Sequence, residues 1–349
     1  MRQSFAMIEA LGISRAALDA WLASHVPGFS GLQTVEKFAA GQSNPTFLLS
    51  ASSGRYVLRA KPPGRLLKSA HMVEREFRVM AALAESEVPV PRVLCLAEDA
   101  ESPIGRGFFV MEFLDGRIFW DPALPELETP QRGAIYDAMN AVLAALHDVD
   151  PAAVGLADFG KPGNYFARQT ARWAGQYRAS AAAPRPQMER LIDWLEANMP
   201  PDDGQIALVH GDYRLDNMVF SPEVPQVIGL LDWELATLGH PLADLAYQCM
   251  QWRLPHGGGM RGLGGLERGA LGLPEEAEYV ARYCARRGIA PPDNWAFYLA
   301  FAFFRLAAIL EGVVARARGG NASNPDKARE YAGAIPVLLG LATEVIGED

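Results

Sequence analysis

The apolar positions along this chain read as strands and one helix up to Gly116 and mainly as helices beyond it. Residues 14–24 carry the period of a short amphipathic helix, and residues 32–40, 46–51 and 55–61 predict three strands with glycine-containing turns between them. Ser52-Ser53-Gly54 turns the second of these into the third as a hairpin. Residues 68–85 are helical by period, with Val73, Phe77, Met80 and Ala84 on one stripe. Residues 92–97 and 107–113 complete a five-stranded sheet that carries this helix.

After Gly116, helices are predicted over 130–147, 164–179 and 185–198, and then around Leu242, Glu276, Trp295 and Ala328. Only short strands around Ile206, Met218 and Val227 interrupt them, and the glycine-rich run 256–272 reads as a mobile loop. The plan is α+β: a helical extension over 1–30, a sheet-rich lobe over 31–115 and a helical lobe over 116–349.

Charge narrows the function classes. A formal net charge of -9 argues against a general nucleic-acid binder, which needs a basic surface to displace counterions. Cys95, Cys249 and Cys284 stand far apart with no Cys-x-x-Cys pair, so neither a zinc site nor a disulfide framework is indicated. Residues 1–30 contain no long apolar run after a basic start, as a signal peptide would, and residues 295–314 are interrupted by Arg305 and Glu311. The expectation is a cytoplasmic protein without a membrane span.

The chemistry concentrates in two segments. His210-Gly211-Asp212-Tyr213-Arg214-Leu215-Asp216-Asn217 is followed, after an apolar strand, by Asp232-Trp233-Glu234. Phosphoryl transfer from Mg·ATP needs one carboxylate to orient the acceptor hydroxyl, and an amide oxygen and a second carboxylate for the metal. Asp212 fits the first role. Asn217 and Asp232 fit the second, because Mg²⁺ takes hard oxygen ligands and only one or two protein groups. Asp216 is a neighbouring alternative to Asn217, and Glu234 is a candidate for a second metal.

His-Gly-Asp-x-x-x-x-Asn with a downstream Asp-Trp-Glu resembles the aminoglycoside phosphotransferase and choline kinase-like families, whose fold is that of protein kinases. Gly41-Gln42-Ser43-Asn44-Pro45-Thr46, Val57-Leu58-Arg59, Pro62-Pro63-Gly64, Val110-Met111-Glu112 and 241–246 look like the branch found alone in bacteria or fused to some acyl-CoA dehydrogenases. The resemblance covers about 35–318. It implies that ATP and Mg²⁺ are the cofactors and that the first lobe covers the nucleotide. Gly41, Gln42, Ser43 and Asn44 would line the phosphates, and backbone groups of Glu112 and Phe113 would read adenine.

Where protein kinases place a strand lysine against a helix glutamate, this alignment supplies Arg59 and Glu76. Lys61, on the same strand face, and Glu74 are the alternatives. The resemblance also implies that Asp244 secures the catalytic-loop backbone from a following helix, with His210 supporting the loop. For the acceptor, Arg168 and Arg172 share a helical face beside Trp173, and Arg253, His256, Arg261 and Arg268 punctuate the glycine-rich region. Such groups suit a small anionic alcohol, with a hydroxy acid or its CoA thioester favoured by the branch. An antibiotic kinase, a non-catalytic nucleotide- or acyl-binding pseudokinase and a metal-dependent phosphohydrolase are the other readings. Oligomeric state is not legible.

Overall fold

The computed structural model describes residues 7–8, 10–38, 44–64, 72–257, 260–318 and 325–347, and it divides into two compact units. The first takes in Met1–Arg117 together with Val219–Pro222 and Ile228–Ala236; the second holds the remainder.

In the first unit, β1 (Met7–Ile8) and β2 (Ile13–Ser14) pair ahead of helix α1 (Arg15–His25). Ser14 caps α1 by accepting the Ala17 N–H at 3.2 Å. The helix is not a detached extension: Leu18 and Leu22 join Leu11, Ile13 and Phe29 in one apolar cluster with Phe47, Leu49, Leu58, Phe108 and Val110. The sheet comprises β3 (Leu32–Lys37), β4 (Thr46–Ala51), β5 (Gly54–Ala60), β6 (Val93–Ala97) and β7 (Phe108–Glu112), in the order β3-β4-β5-β7-β6, all antiparallel.

Helix α2 (Val73–Leu83) buries Val73, Glu76, Val79, Met80 and Leu83. The expected stripe is therefore rotated. Phe77 is half-buried and Ala84 exposed, while Glu76, a carboxylate, occupies the inner face because partners await it there.

The second unit opens with α3 (Thr129–Asp148), α4 (Tyr165–Ser180) and α5 (Pro186–Ala197), followed by β8 (Ala207–Val209). β9 (Met218–Phe220) and β10 (Val227–Leu230) then pair and carry the chain back to the first unit. There Arg117 and Phe220 exchange backbone hydrogen bonds of 2.8 Å, and Leu230 N–H reaches the Pro89 carbonyl at 2.7 Å. This return puts Asp232 in the first unit. β11 (Thr237–Gly239) pairs with β8 in the second.

The chain continues through α6 (Leu242–Cys249), α7 (Arg268–Leu271), α8 (Glu276–Arg287), α9 (Trp295–Arg318) and α10 (Pro325–Ile346). α9 is long and apolar enough for a membrane span by length and composition, but 83% of its most apolar window is buried among α4, α5, α6 and α10, as suits a core helix. The described part of the glycine-rich run is tied down rather than loose. Gly264 N–H bonds the Leu254 carbonyl at 2.8 Å, and a Cβ on Gly262 would lie 2.0 Å from that same oxygen.

Candidate active site

In the first unit, antiparallel register sets Arg59 on β5 opposite Thr46 on β4, and its side chain is 11% exposed. Its Nε lies 2.8 Å from Glu76 Oε2 as an ion pair, without alignment for a hydrogen bond, and its Nη2 lies 2.5 Å from Asp232 Oδ1. Asn44 Nδ2 donates to the other Glu76 oxygen at 2.7 Å. Burial works to lower the Arg59 guanidinium, yet Glu76, Asp232 and Glu234 together hold it above its ordinary value. Burial pushes the Glu76 carboxyl up to about 7, against the pull of Arg59 and Asn44. The two directions are compatible: several acids hold the cation charged, whereas burial outweighs the attraction of Arg59 at the fully buried carboxyl.

Lys61 belongs to a different cluster, 2.5 Å from Glu74 and 3.0 Å from Asp99. Geometry thus separates the two cation–carboxylate pairs that the sequence leaves interchangeable. Asp232 has φ 65° and ψ 60°, a left-handed conformation uncommon for a non-glycine residue, and the buried Trp233 behind it donates Nε1–H to the Leu230 carbonyl at 2.9 Å. Strain of this kind is retained where surrounding structure enforces it. Arg75 Nη2 adds a 3.2 Å bond from α2 to the Ala236 carbonyl.

At the end of β7, Glu112 N–H donates to the Arg92 carbonyl at 2.9 Å, while Arg92 N–H goes to the Glu112 carboxylate at 2.8 Å. A side chain therefore closes the last backbone pair. The Phe113 ring lies under the Arg55 guanidinium at 4.3 Å. Gly41, Gln42 and Ser43 lie outside the described residues.

In the second unit, Gly211 turns the loop after β8 with φ 83°. Asp244 on α6 accepts the His210 N–H at 2.6 Å and the Gly211 N–H at 2.9 Å, one on each oxygen. The fully buried His210 ring accepts the Asp212 N–H at Nδ1, 3.2 Å away. Tyr213 anchors the loop from below, donating to the Met139 carbonyl at 2.6 Å. Burial works to raise the Asp244 carboxyl, but His147, His210 and the Gly211 N–H hold it below the usual carboxylate range.

Both oxygens of the half-buried Asp212 are engaged: the Tyr247 hydroxyl donates to Oδ1 at 2.6 Å and Asn217 Nδ2 to Oδ2 at 3.0 Å. Asn217 Nδ2 also donates to the Asp212 carbonyl at 2.8 Å, so the amide nitrogen is committed to Asp212. Asp216 instead pairs with Arg214.

Arg168 differs from its expected role as an anion receptor, because its Nε and Nη2 donate to the carbonyls of Gly163 and Lys161 at 2.9 and 2.5 Å. Arg172 is exposed over the Trp173 ring at 5.0 Å. Arg253 pairs with Glu276 at 3.1 Å and Arg268 with Glu275 at 2.8 Å.

Sequence reading missed two residues here. Tyr247 lies three positions after Asp244, hence on the same helical face, a signal available from spacing. Arg305 on α9 donates Nη1–H to the Gly211 carbonyl at 2.7 Å; a cation amid the apolar run 295–310 was its signal.

With this geometry in place, comparison with known proteins identifies the chain's relatives. Residues 34–301 match the model of the phosphotransferase enzyme family. A solved protein of Ralstonia eutropha, named after the aminoglycoside phosphotransferases, is 46% identical with a TM-score of 0.84, over 94% of this chain and 97% of that one. Acyl-CoA dehydrogenase family member 10 of Mus musculus is 48% identical over 316 residues, which is 90% of this chain but 29% of that protein. Family member 11 of Homo sapiens is 41% identical over 89% of this chain and 40% of its own length, so the chain spans under half of these relatives. A spectinomycin phosphotransferase solved with ADP and spectinomycin is 13% identical with a TM-score of 0.62, over 94% of this chain and 97% of its own, a likeness of fold alone. On the family match and the Ralstonia eutropha structure together, this α+β chain has the protein kinase-like fold and belongs to the phosphotransferase enzyme family.

Proposed function

We propose that the chain is an ATP- and Mg²⁺-dependent phosphotransferase acting on a hydroxyl of a small anionic molecule, with a hydroxy acid or hydroxyacyl-CoA favoured. The observation that carries this reading is Arg59, a largely buried cation shared by Glu76 and Asp232. A guanidinium fixed this way offers a planar fork to phosphate oxygens, and Asp232 would hold the metal through its second carboxylate oxygen, a hard donor. Asn217 would add its amide oxygen to the metal. Mg²⁺ supplies charge neutralisation on the phosphates when bound.

Asp212 takes the acceptor's side of the reaction. Tyr247 and Asn217 orient its carboxylate, and Asp244 and Tyr213 fix the loop that carries it. Transfer of a phosphoryl group depends on positioning and charge stabilisation more than on covalent help from the protein, which matches a site built from held carboxylates.

An ADP-release screen over hydroxy acids, hydroxyacyl-CoAs, sugars, choline-like alcohols and aminoglycosides tests the reading. Acceptor-dependent ADP release with an acidic alcohol is expected. Preferred turnover of a cationic aminoglycoside would replace it with an antibiotic kinase. Failure of Mg·ATP to bind or to raise the unfolding temperature would end the kinase reading altogether.

A further inference from the structure

Arg305 is 7% exposed, in a helix whose neighbouring residues 301–304 and 306–308 are all buried. A guanidinium at such a depth ordinarily has a carboxylate beside it, because an uncompensated buried charge is costly. The same helix follows that rule lower down, where the buried Glu311 pairs with Arg185 at 3.0 Å and Arg318 at 3.1 Å. Arg305 departs from it. Among the described residues, Arg305 forms no ion pair with any Asp or Glu; Nη1 serves the Gly211 carbonyl, and the guanidinium otherwise lies over the rings of Tyr247 at 5.4 Å and Trp173 at 5.8 Å. Its remaining N–H groups have no partner among the described residues, yet are not sealed from solvent.

The surroundings point to a ligand rather than to packing alone. The ring under Arg305 belongs to the tyrosine that holds Asp212, so the unpaired cation stands one side chain from that carboxylate. Trp173 lies near a second guanidinium, the exposed Arg172. Trp173 Nε1 and Thr170 Oγ1, one helical turn apart on α4, are both buried without a hydrogen-bond partner among the described residues. Burial raises the nearby Tyr165 phenol, with the fields of Arg305, Arg168 and Arg172 opposing it and that of Asp244 adding to it.

Building on the phosphotransferase reading, we propose that Arg305 is the specificity-determining residue for the acceptor. It receives the acceptor's carboxylate, with Arg172 contributing from the surface, and thereby presents the hydroxyl of the same molecule to Asp212. One buried cation matches one monoanionic group. Carboxylates suit a guanidinium because its N–H groups form a fork with the spacing of the two oxygens.

The test is a titration of the ¹⁵N-labelled full chain with 3-hydroxybutyrate, with 3-hydroxyoctanoate and with the neutral 1,3-diols of the same carbon skeletons. The Trp173 indole N–H resonance, assigned through Trp173→Phe, is the readout. At least one hydroxy acid should shift it saturably while the diols do not. Affinity should fall by about tenfold or more in Arg305→Gln, and by less in the charge-retaining Arg305→Lys. Arg172→Ala, at an exposed position, should weaken the acid alone. The wild-type comparison of acid with diol needs no variant to fold. Silence towards both acids, equal shifts by diols and acids, or wild-type affinity in Arg305→Gln would each overturn the proposal. An acid bound through Arg305 by a protein that takes no Mg·ATP would leave this inference standing and end the kinase reading; Mg·ATP binding with no response to acids would do the opposite.

Discussion

The Tyr247 hydroxyl donates to Asp212 Oδ1 at 2.6 Å. Burial, with Asp212 adding to it, raises the phenol well above its ordinary range, so the hydroxyl remains a proton donor at neutral pH. Tyr247→Phe removes the donor and keeps the ring. Turnover should drop by roughly five- to tenfold, the worth of one such bond, with the Michaelis constant for ATP nearly unchanged. Steady-state kinetics on the acceptor found by the screen decides it, and an unaltered kcat would show that Asp212 does not depend on this phenol.

Asp212→Asn retains size and most hydrogen-bonding capacity but not the charge. If the carboxylate activates the acceptor, kcat should fall by ~10²–10⁴-fold while nucleotide binding survives. Calorimetry with Mg·ATP and single-turnover kinetics separate the two. Equal turnover in wild type and variant would remove Asp212 from the chemistry.

Two glutamates on α2 should behave differently. Glu76 is buried against Arg59 at 2.8 Å, whereas Glu74 pairs with Lys61 at 2.5 Å with 29% of its side chain exposed. Glu76→Gln should cost about 3–5 kcal/mol in urea unfolding and weaken Mg·ATP binding. Glu74→Gln should stay within about 1 kcal/mol and leave nucleotide binding alone. A reversed order would mean that Lys61 is the nucleotide-side cation.

Acid should destabilise the protein in two stages. Burial lowers the His147 imidazole below its ordinary value, with Arg287 and His240 adding to that and Asp244 opposing it; burial likewise lowers His240 against Asp203. The unfolded chain therefore takes up protons near pH 6.5 that the folded chain refuses. Stability is present above that pH and lost below it, at up to about 1.4 kcal/mol per pH unit for each proton. Asp244, lowered in the folded state, retains its contribution until the pH falls through the carboxylate range. The raised Glu76 carboxyl works the opposite way over the same window, one proton against the two imidazoles, so unfolding temperatures measured from pH 7.5 to 5 should still decline, and His147→Gln should flatten the slope. An identical slope in the variant would exclude His147 as a source.

Local chemistry made much of the fold legible in the sequence. Alternating apolar residues over β4 and β5 with Ser52-Ser53-Gly54 between them specify a hairpin whatever surrounds it, and the helices of the second unit follow from their periods. The spacing of Asp212, Asn217 and Asp232 likewise stands in the chain, as does the motif around them.

Other relationships were not local and could not be read there. Arg59 and Asp232 are 173 positions apart, and Lys61 meets the same residue-type criteria as Arg59. Only strand register and the burial of Glu76 decide which cation meets which acid. Asp216 and Asn217 are adjacent in sequence, and the loop conformation turns one to Arg214 and the other to Asp212. Arg168 and Arg305 show the same limit from opposite sides. The sequence determines that a cation is present, but the carbonyls of Gly163 and Lys161 occupy Arg168, whereas packing against Trp173 and Tyr247 buries Arg305 without an acid. A side chain's charge is written in its residue type; whether that charge is already neutralised depends on which distant groups the fold brings within a few ångströms of it.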